Sequence, residues 1–186
     1  MAVAGGHNLL MVGPPGEGKS LLARTIPTIA PPLTLARALE VTPIHAAQGL
    51  VEPGQLVTTS PLRMIDPTVT RQALLGGGYE QPYPGEVSLA HHGVLYCDEL
   101  LQFSRGTMEA LRTPLQDRQV AISRVHWRQV FPASFQLVAA CNPCPCGYWH
   151  HPDVPCRCTR PSGGATPASC RVRWWTALGC GCGWTR

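Results

Sequence analysis

The chain has 186 residues, 44% of them apolar, and a formal charge of +4, which suits one domain with its own core. Its excess charge sits in an acid-free stretch, residues 160–186, through Arg160, Arg171, Arg173 and Arg186; eleven cations balance eleven anions in the remainder. Net charge therefore gives no argument for a DNA or membrane partner, no run is long enough to span a bilayer, and the N-terminal apolar segment lacks the basic flank of a signal peptide. A cytoplasmic location is the expectation, and there nine cysteines do not suggest a disulfide framework.

Asn8-Leu9-Leu10-Met11-Val12 reads as a buried strand. It leads into Gly13-Pro14-Pro15-Gly16-Glu17-Gly18-Lys19-Ser20, a full match to G-x-x-x-x-G-K-[ST] that contains the only lysine of the chain. Leu21, Leu22 and Ile26 then recur at helical spacing up to Pro27. Strand, glycine loop and helix is the order a phosphate cradle requires, because the helix must aim its free N–H groups and positive dipole end at the phosphates. Residues 13–20 are thus expected to bind a nucleotide, with Lys19 reaching the β- and γ-phosphates and the Ser20 hydroxyl meeting Mg²⁺.

Pro31-Pro32 interrupts the chain, and residues 33–47 read as a second helix with Thr34 as a candidate N-cap. Residues 50–90 are rich in breakers and read as an insertion around a short helical stretch at 68–75. Gly93 to Cys97 forms an apolar strand that ends in Asp98-Glu99. After a phosphate loop, the first acid is expected to orient Mg²⁺ and the second to polarise the attacking water; the alternative is that both acids only start the next helix.

A third helix is expected from Ser104, its candidate N-cap, to Leu115. Residues 119–123 and 128–131 form a hairpin pattern whose tip, Arg124-Val125-His126-Trp127, is either a nucleic-acid contact or a simple turn. The apolar run 135–140 ends at Cys141-Asn142. A polar residue at the carboxyl end of a parallel strand lies where open α/β sheets bind ligands, so Asn142 is a candidate contact to the γ-phosphate or the attacking water; the alternative is a turn-forming Asn before Pro143. Cys144-Pro145-Cys146 and Cys156-Arg157-Cys158 flank nine residues that include His150 and His151. Four thiolates suit Zn²⁺, but C-x-C is tighter than the usual C-x₂₋₄-C, which leaves inert or redox-sensitive thiols as the other reading.

Taken together, Gly5 to Leu10, the phosphate loop, the Pro84-to-Leu95 segment leading to Asp98-Glu99, Phe131-Pro132-Ala133 and Asn142 to Gly147 resemble the magnesium-chelatase-like AAA+ ATPases of the ComM and YifB type. The resemblance covers residues 2 to about 159. It implies an α/β P-loop NTPase core, a mainly parallel sheet flanked by helices. Residues 13–20 would be Walker A, Asp98 and Glu99 Walker B, Asn142 sensor 1, residues 50–90 a helix-2 insert and 119–131 the pre-sensor hairpin. ATP and Mg²⁺ are the implied ligands, a homo-hexamer and DNA the implied partners; a magnesium chelatase ATPase subunit and a non-catalytic zinc or nucleic-acid-binding fragment are the alternatives.

Family members continue past the cysteines with an arginine-rich helix and a segment like S-G-P-L-L-D-R that holds a candidate arginine finger. Residues 161–186 instead show three tryptophans, three cysteines and no periodicity. Reading the last base of each codon with the first two of the next turns Trp174-Trp175-Thr176 into Val-Asp, and the flanking codons permit G-P-V-V-D-R. Upstream, residues 161–166 permit Q-R-R-R-Y. The expectation is a partial AAA+ domain at residues 1–158 and a frameshifted, unstructured tail at 159–186, with the final strand, finger and lid missing and hydrolysis impaired.

Overall fold

The computed structural model describes residues 5–123, 127–149 and 151–158; the expectation for the tail at 159–186 lies outside them. In chain order the elements are β1 (Leu9–Val12), α1 (Lys19–Ile29), α2 (Leu35–Ala46), β2 (Leu62–Ile65), α3 (Arg71–Leu75), β3 (Gly76–Gly77), β4 (Tyr83–Pro84), α4 (Glu86–Leu89), β5 (Val94–Cys97), a 3₁₀ turn (Leu100–Gln102), α5 (Arg105–Asp117), β6 (Gln119–Ser123), β7 (Arg128–Pro132) and β8 (Gln136–Cys141).

Four strands form one parallel sheet in the order β1-β8-β5-β2. Parallel strands are covered on both faces, which is why their sequences read as apolar runs. Side chains alternate between the faces. Val94 and Tyr96 of β5 join Val138 and Ala140 of β8 against Ala23 and Ile26 of α1. Leu95, Cys97, Leu137 and Ala139 point to the opposite layer, where Leu74, Val87, Phe103 and Leu111 complete the larger core. This is the mixed α/β, P-loop NTPase-like architecture that the motifs imply.

The helix caps follow the sequence closely. Thr34 accepts from the Arg37 amide at 3.5 Å and Ser104 from the Thr107 amide at 3.1 Å. These side chains satisfy N–H groups that have no acceptor inside the helix. Pro27, however, does not end α1, which runs to Ile29; a proline in the last turn removes one hydrogen bond without displacing Ile26, whose carbonyl still accepts from the Ala30 amide at 3.2 Å.

Residues 50–90 are not all insertion. Leu62–Ile65 lies in the central sheet, in register with Val94–Cys97. A cation at its centre hides the apolar signature: Arg63 is clamped by Glu86 through two hydrogen bonds of 2.6 and 2.9 Å, which also fasten β2 to α4. The β6–β7 hairpin is present, with Gln119 facing Pro132 and Ser123 facing Arg128. Arg124, Val125 and His126 lie outside the described residues, whereas the Trp127 indole N–H donates to the Tyr79 carbonyl at 3.1 Å. That bond, and packing against the larger core, ties Trp127 into the protein, which favours the simple-turn reading for this residue of the tip over the nucleic-acid contact.

Candidate nucleotide-binding site

The loop between β1 and α1 needs glycine at two points, Gly16 at φ 87° and Gly18 at φ 75°. Both angles fall in the left-handed region that L-side chains resist. Gly18 occupies the N-cap position of α1 and offers no side-chain cap, so the first-turn amides stay available to an anion. The Gly13 amide donates to the Cys141 carbonyl at 3.3 Å, which fastens the start of the loop to the end of β8. Pro14 is half-buried, while Pro15, Gly16, Glu17 and Gly18 are exposed at the rim.

Lys19 folds back over this loop. Its Nζ donates to the Gly13 and Pro14 carbonyls at 2.8 and 2.7 Å and to Asn142 Oδ1 at 3.3 Å. Asn142 follows β8 directly, so two adjacent parallel strands deliver the amine and the amide to one point.

Ser20 and Asp98 meet as well. Ser20 Oγ donates to Asp98 Oδ2 at 2.9 Å, and the Glu99 amide donates to Asp98 Oδ1 at 3.0 Å, so each carboxylate oxygen is held. Glu99 is exposed and left-handed, at φ 49°, a conformation unusual for a non-glycine residue. The chain therefore leaves the strand alternation immediately after Asp98. Asp98 itself keeps that alternation, two residues after Tyr96 on the α1 side of the sheet.

The four cysteines after Asn142 also come together. All of the Sγ atoms of Cys144, Cys146, Cys156 and Cys158 lie within 4.8 Å of one another. Amide groups of Tyr148 and Arg157 hold the Cys146 thiol down at about 6. His151 is turned to another task, its Nδ1 accepting from the Asp153 and Val154 amides at 3.1 Å each. His150 lies outside the described residues.

Residues 1–165 match the sequence profile of the family described as magnesium chelatase, subunit ChlI. The chain belongs to this family. The protein YifB of Escherichia coli (strain K12) is 43% identical over 149 residues, covering 80% of this chain and 29% of that protein. The competence protein ComM of Haemophilus influenzae is 42% identical over the same length and shares. An uncharacterized protein of Mycobacterium tuberculosis (strain H37Rv) is 44% identical over 147 residues, 78% of this chain and 29% of the relative. The chain thus spans less than a third of the length of these relatives. Membership of the magnesium chelatase family implies ATP and Mg²⁺ as ligands. Among the described residues no helix is long and apolar enough to cross a membrane.

Three features of this family member are not evident from motifs alone. Tyr96, fully buried, donates its hydroxyl to Ser20 Oγ at 3.3 Å, and burial pushes its pKa up to about 12. The period-two spacing from Asp98 is the signal that would have placed it there. Gly147, at φ 85°, backs onto the phosphate loop: a Cβ at Gly147 would lie 2.5 Å from Pro15 Cδ. Third, His91 and His92 both reach Glu40 Oε2, at 3.2 and 2.7 Å, with ring centroids 3.9 Å apart. The Ser134 amide donates to His91 Nδ1 at 3.0 Å, which places the proton of the neutral ring on Nε2, facing the carboxylate. A metal ion at Nε2 would need that proton moved to a nitrogen already accepting an N–H, so this cluster is a hydrogen-bonded brace between α2 and the segment before β5.

Proposed function

We propose that the chain is the ATP·Mg²⁺-binding part of an AAA+ ATPase of the ComM type. The observation that carries this reading is the pairing of the adjacent residues Lys19 and Ser20, at the start of α1, with Asn142 after β8 and Asp98 after β5, through hydrogen bonds of 3.3 and 2.9 Å. Amides at the start of α1 and the Lys19 amine bind the phosphates. Ser20 Oγ and the Asp98 carboxylate are hard oxygen donors already 2.9 Å apart, the ligand type that Mg²⁺ takes. Mg²⁺ supplies neutralisation of charge on the β- and γ-phosphate oxygens. Glu99 is the candidate base that polarises water, and Asn142 orients that water or the terminal phosphate; Glu99→Gln is expected to retain nucleotide while removing any turnover.

Beyond the isolated chain, the resemblance to ComM-type proteins supports a cytoplasmic homo-hexamer acting on DNA, in which an arginine from a neighbouring subunit would face the phosphates. The family's own description favours a second reading, the ATPase subunit of a magnesium chelatase. DNA-stimulated ATPase activity in the intact gene product supports the first reading, and stimulation by a metal-inserting partner the second. We also assign residues 1–158 to the partial ATPase domain and 159–186 to a shifted reading frame. An unbroken frame through Trp174 on independent sequencing reads would rule out a sequencing artefact.

Calorimetric titration of the 186-residue chain with ATP tests the central reading. Saturable binding that strengthens with Mg²⁺ is expected, and heats indistinguishable from dilution would refute it.

A further inference from the structure

The Sγ atoms of Cys144, Cys146, Cys156 and Cys158 form one compact cluster, all within 4.8 Å of one another. Cys144 and Cys146 are 3.3 Å apart, Cys146 and Cys156 3.5 Å, and Cys144 and Cys156 3.8 Å. A disulfide would bring one pair to about 2.05 Å and leave the others apart. Four thiolates on one Zn²⁺ at about 2.3 Å would instead stand about 3.8 Å from one another, close to the separations found.

The surrounding backbone is arranged for anionic sulfur. The Cys146 amide donates to Cys158 Sγ at 3.4 Å. Donors aimed at sulfur stabilise bound thiolates and fix their orientation. The turn that follows the first pair needs Gly147 at φ 85°, with its amide donating to the Cys144 carbonyl at 2.9 Å. His151 orders the connection between the pairs by accepting two amides, and Tyr148 meets it edge-on at 5.6 Å between centroids. The remaining described cysteines, Cys97 and Cys141, are buried separately in the core.

We propose that these four cysteines form a structural Zn²⁺ site. Thiolate ligands and tetrahedral geometry select zinc, and a site with four protein ligands is closed, so its role is to hold the chain rather than to do chemistry. Binding releases to solvent the protons of those thiols that are not already ionised. The metal fastens the segment that begins two residues after Asn142 and presses Gly147 on Pro15. This consequence for the phosphate loop rests on the nucleotide-site reading; the metal site itself does not.

The test is zinc content by mass spectrometry of the full chain, purified under reductant without added zinc, and the visible spectrum of the Co²⁺-substituted protein. Because Cys170, Cys180 and Cys182 also offer thiols, the same measurements are made on a variant with all three replaced by Ser. About one zinc per chain is expected, retained in that variant, with strong thiolate-to-cobalt bands, and reduced at least about tenfold in Cys144→Ser/Cys156→Ser. Zinc below about a tenth of an equivalent with all four thiols open to alkylation, or zinc that disappears with the tail cysteines, overturns the proposal. Should Cys144→Ser/Cys156→Ser fail to fold, the Co²⁺ spectrum of the tail variant decides alone: tetrathiolate bands support the site and their absence overturns it.

Discussion

Ser20 and Asp98, 78 positions apart, share a 2.9 Å hydrogen bond between the start of α1 and the end of β5. Removing either partner takes away an oxygen donor proposed for Mg²⁺ while leaving the phosphate loop in place. Asp98→Asn is therefore expected to bind ATP in the absence of Mg²⁺ as wild type does, and to lose most of the gain that Mg²⁺ brings, about tenfold or more in affinity. Titrations with and without Mg²⁺ check this; an unchanged Mg²⁺ dependence would count against it.

Tyr96 acts one bond further back, holding Ser20 Oγ from inside the core. Tyr96→Phe keeps the packing and deletes only the hydroxyl, so the stability loss is expected to stay at about 1 kcal/mol. The Mg²⁺-dependent affinity should fall a few-fold, since Ser20 is then free to rotate. Urea unfolding and nucleotide titration on the same preparation separate the two effects.

Gly147→Ala places a Cβ 2.5 Å from Pro15 Cδ on a backbone at φ 85°. A destabilisation of about 1–2 kcal/mol is expected, together with weaker ATP binding as Pro15 is displaced. Gly106→Ala, inside α5 with only Ser104 Oγ near its new carbon at 3.8 Å, is the control. It should be neutral or stabilising by up to about 1 kcal/mol.

Burial, and then the neighbouring His92 charge, hold the His91 pKa below its usual 6.5, while hydrogen bonds from His92 and His91 hold Glu40 below 4.5. In both cases the unfolded chain binds more protons as pH falls, so stability is lost on acidification. The histidine contribution is present above pH 6.5 and declines below it, down through its folded value; the carboxylate contribution is present above 4.5 and declines on further acidification. His91→Asn keeps an acceptor for the Ser134 amide without the titrating ring. The melting temperature of wild type should drop between pH about 7.5 and about 5.5, and that of the variant should drop less.

Much of the fold was legible because apolar runs, glycine loops and cap residues agree locally. β1, β5, β8, the hairpin and the capped starts of α2 and α5 fall within a residue or two of their expected bounds. β2 was not legible, because Arg63 breaks its apolar pattern and its ion partner, Glu86, lies 23 residues away. α1 outran Pro27 because one missing amide near a helix end is cheap to lose. At the site, motif spacing named Lys19, Ser20, Asp98 and Asn142, but it could not show that Tyr96 underlies Ser20 or that Gly147 touches Pro15. Such contacts depend on how β5 and β8 bring remote segments to the phosphate loop.

The central claim is that residues 13–20 hold the phosphates of a nucleotide through Lys19 and the α1 amides. Equilibrium binding of ATP·Mg²⁺ to the wild-type chain and to Lys19→Ala, with unchanged melting of the variant as a check on folding, tests it most directly. Lys19 contributes a charge-assisted contact worth about 1.5–3 kcal/mol, so its loss should weaken binding about 10- to 100-fold. Equal affinity in the two proteins would contradict the account.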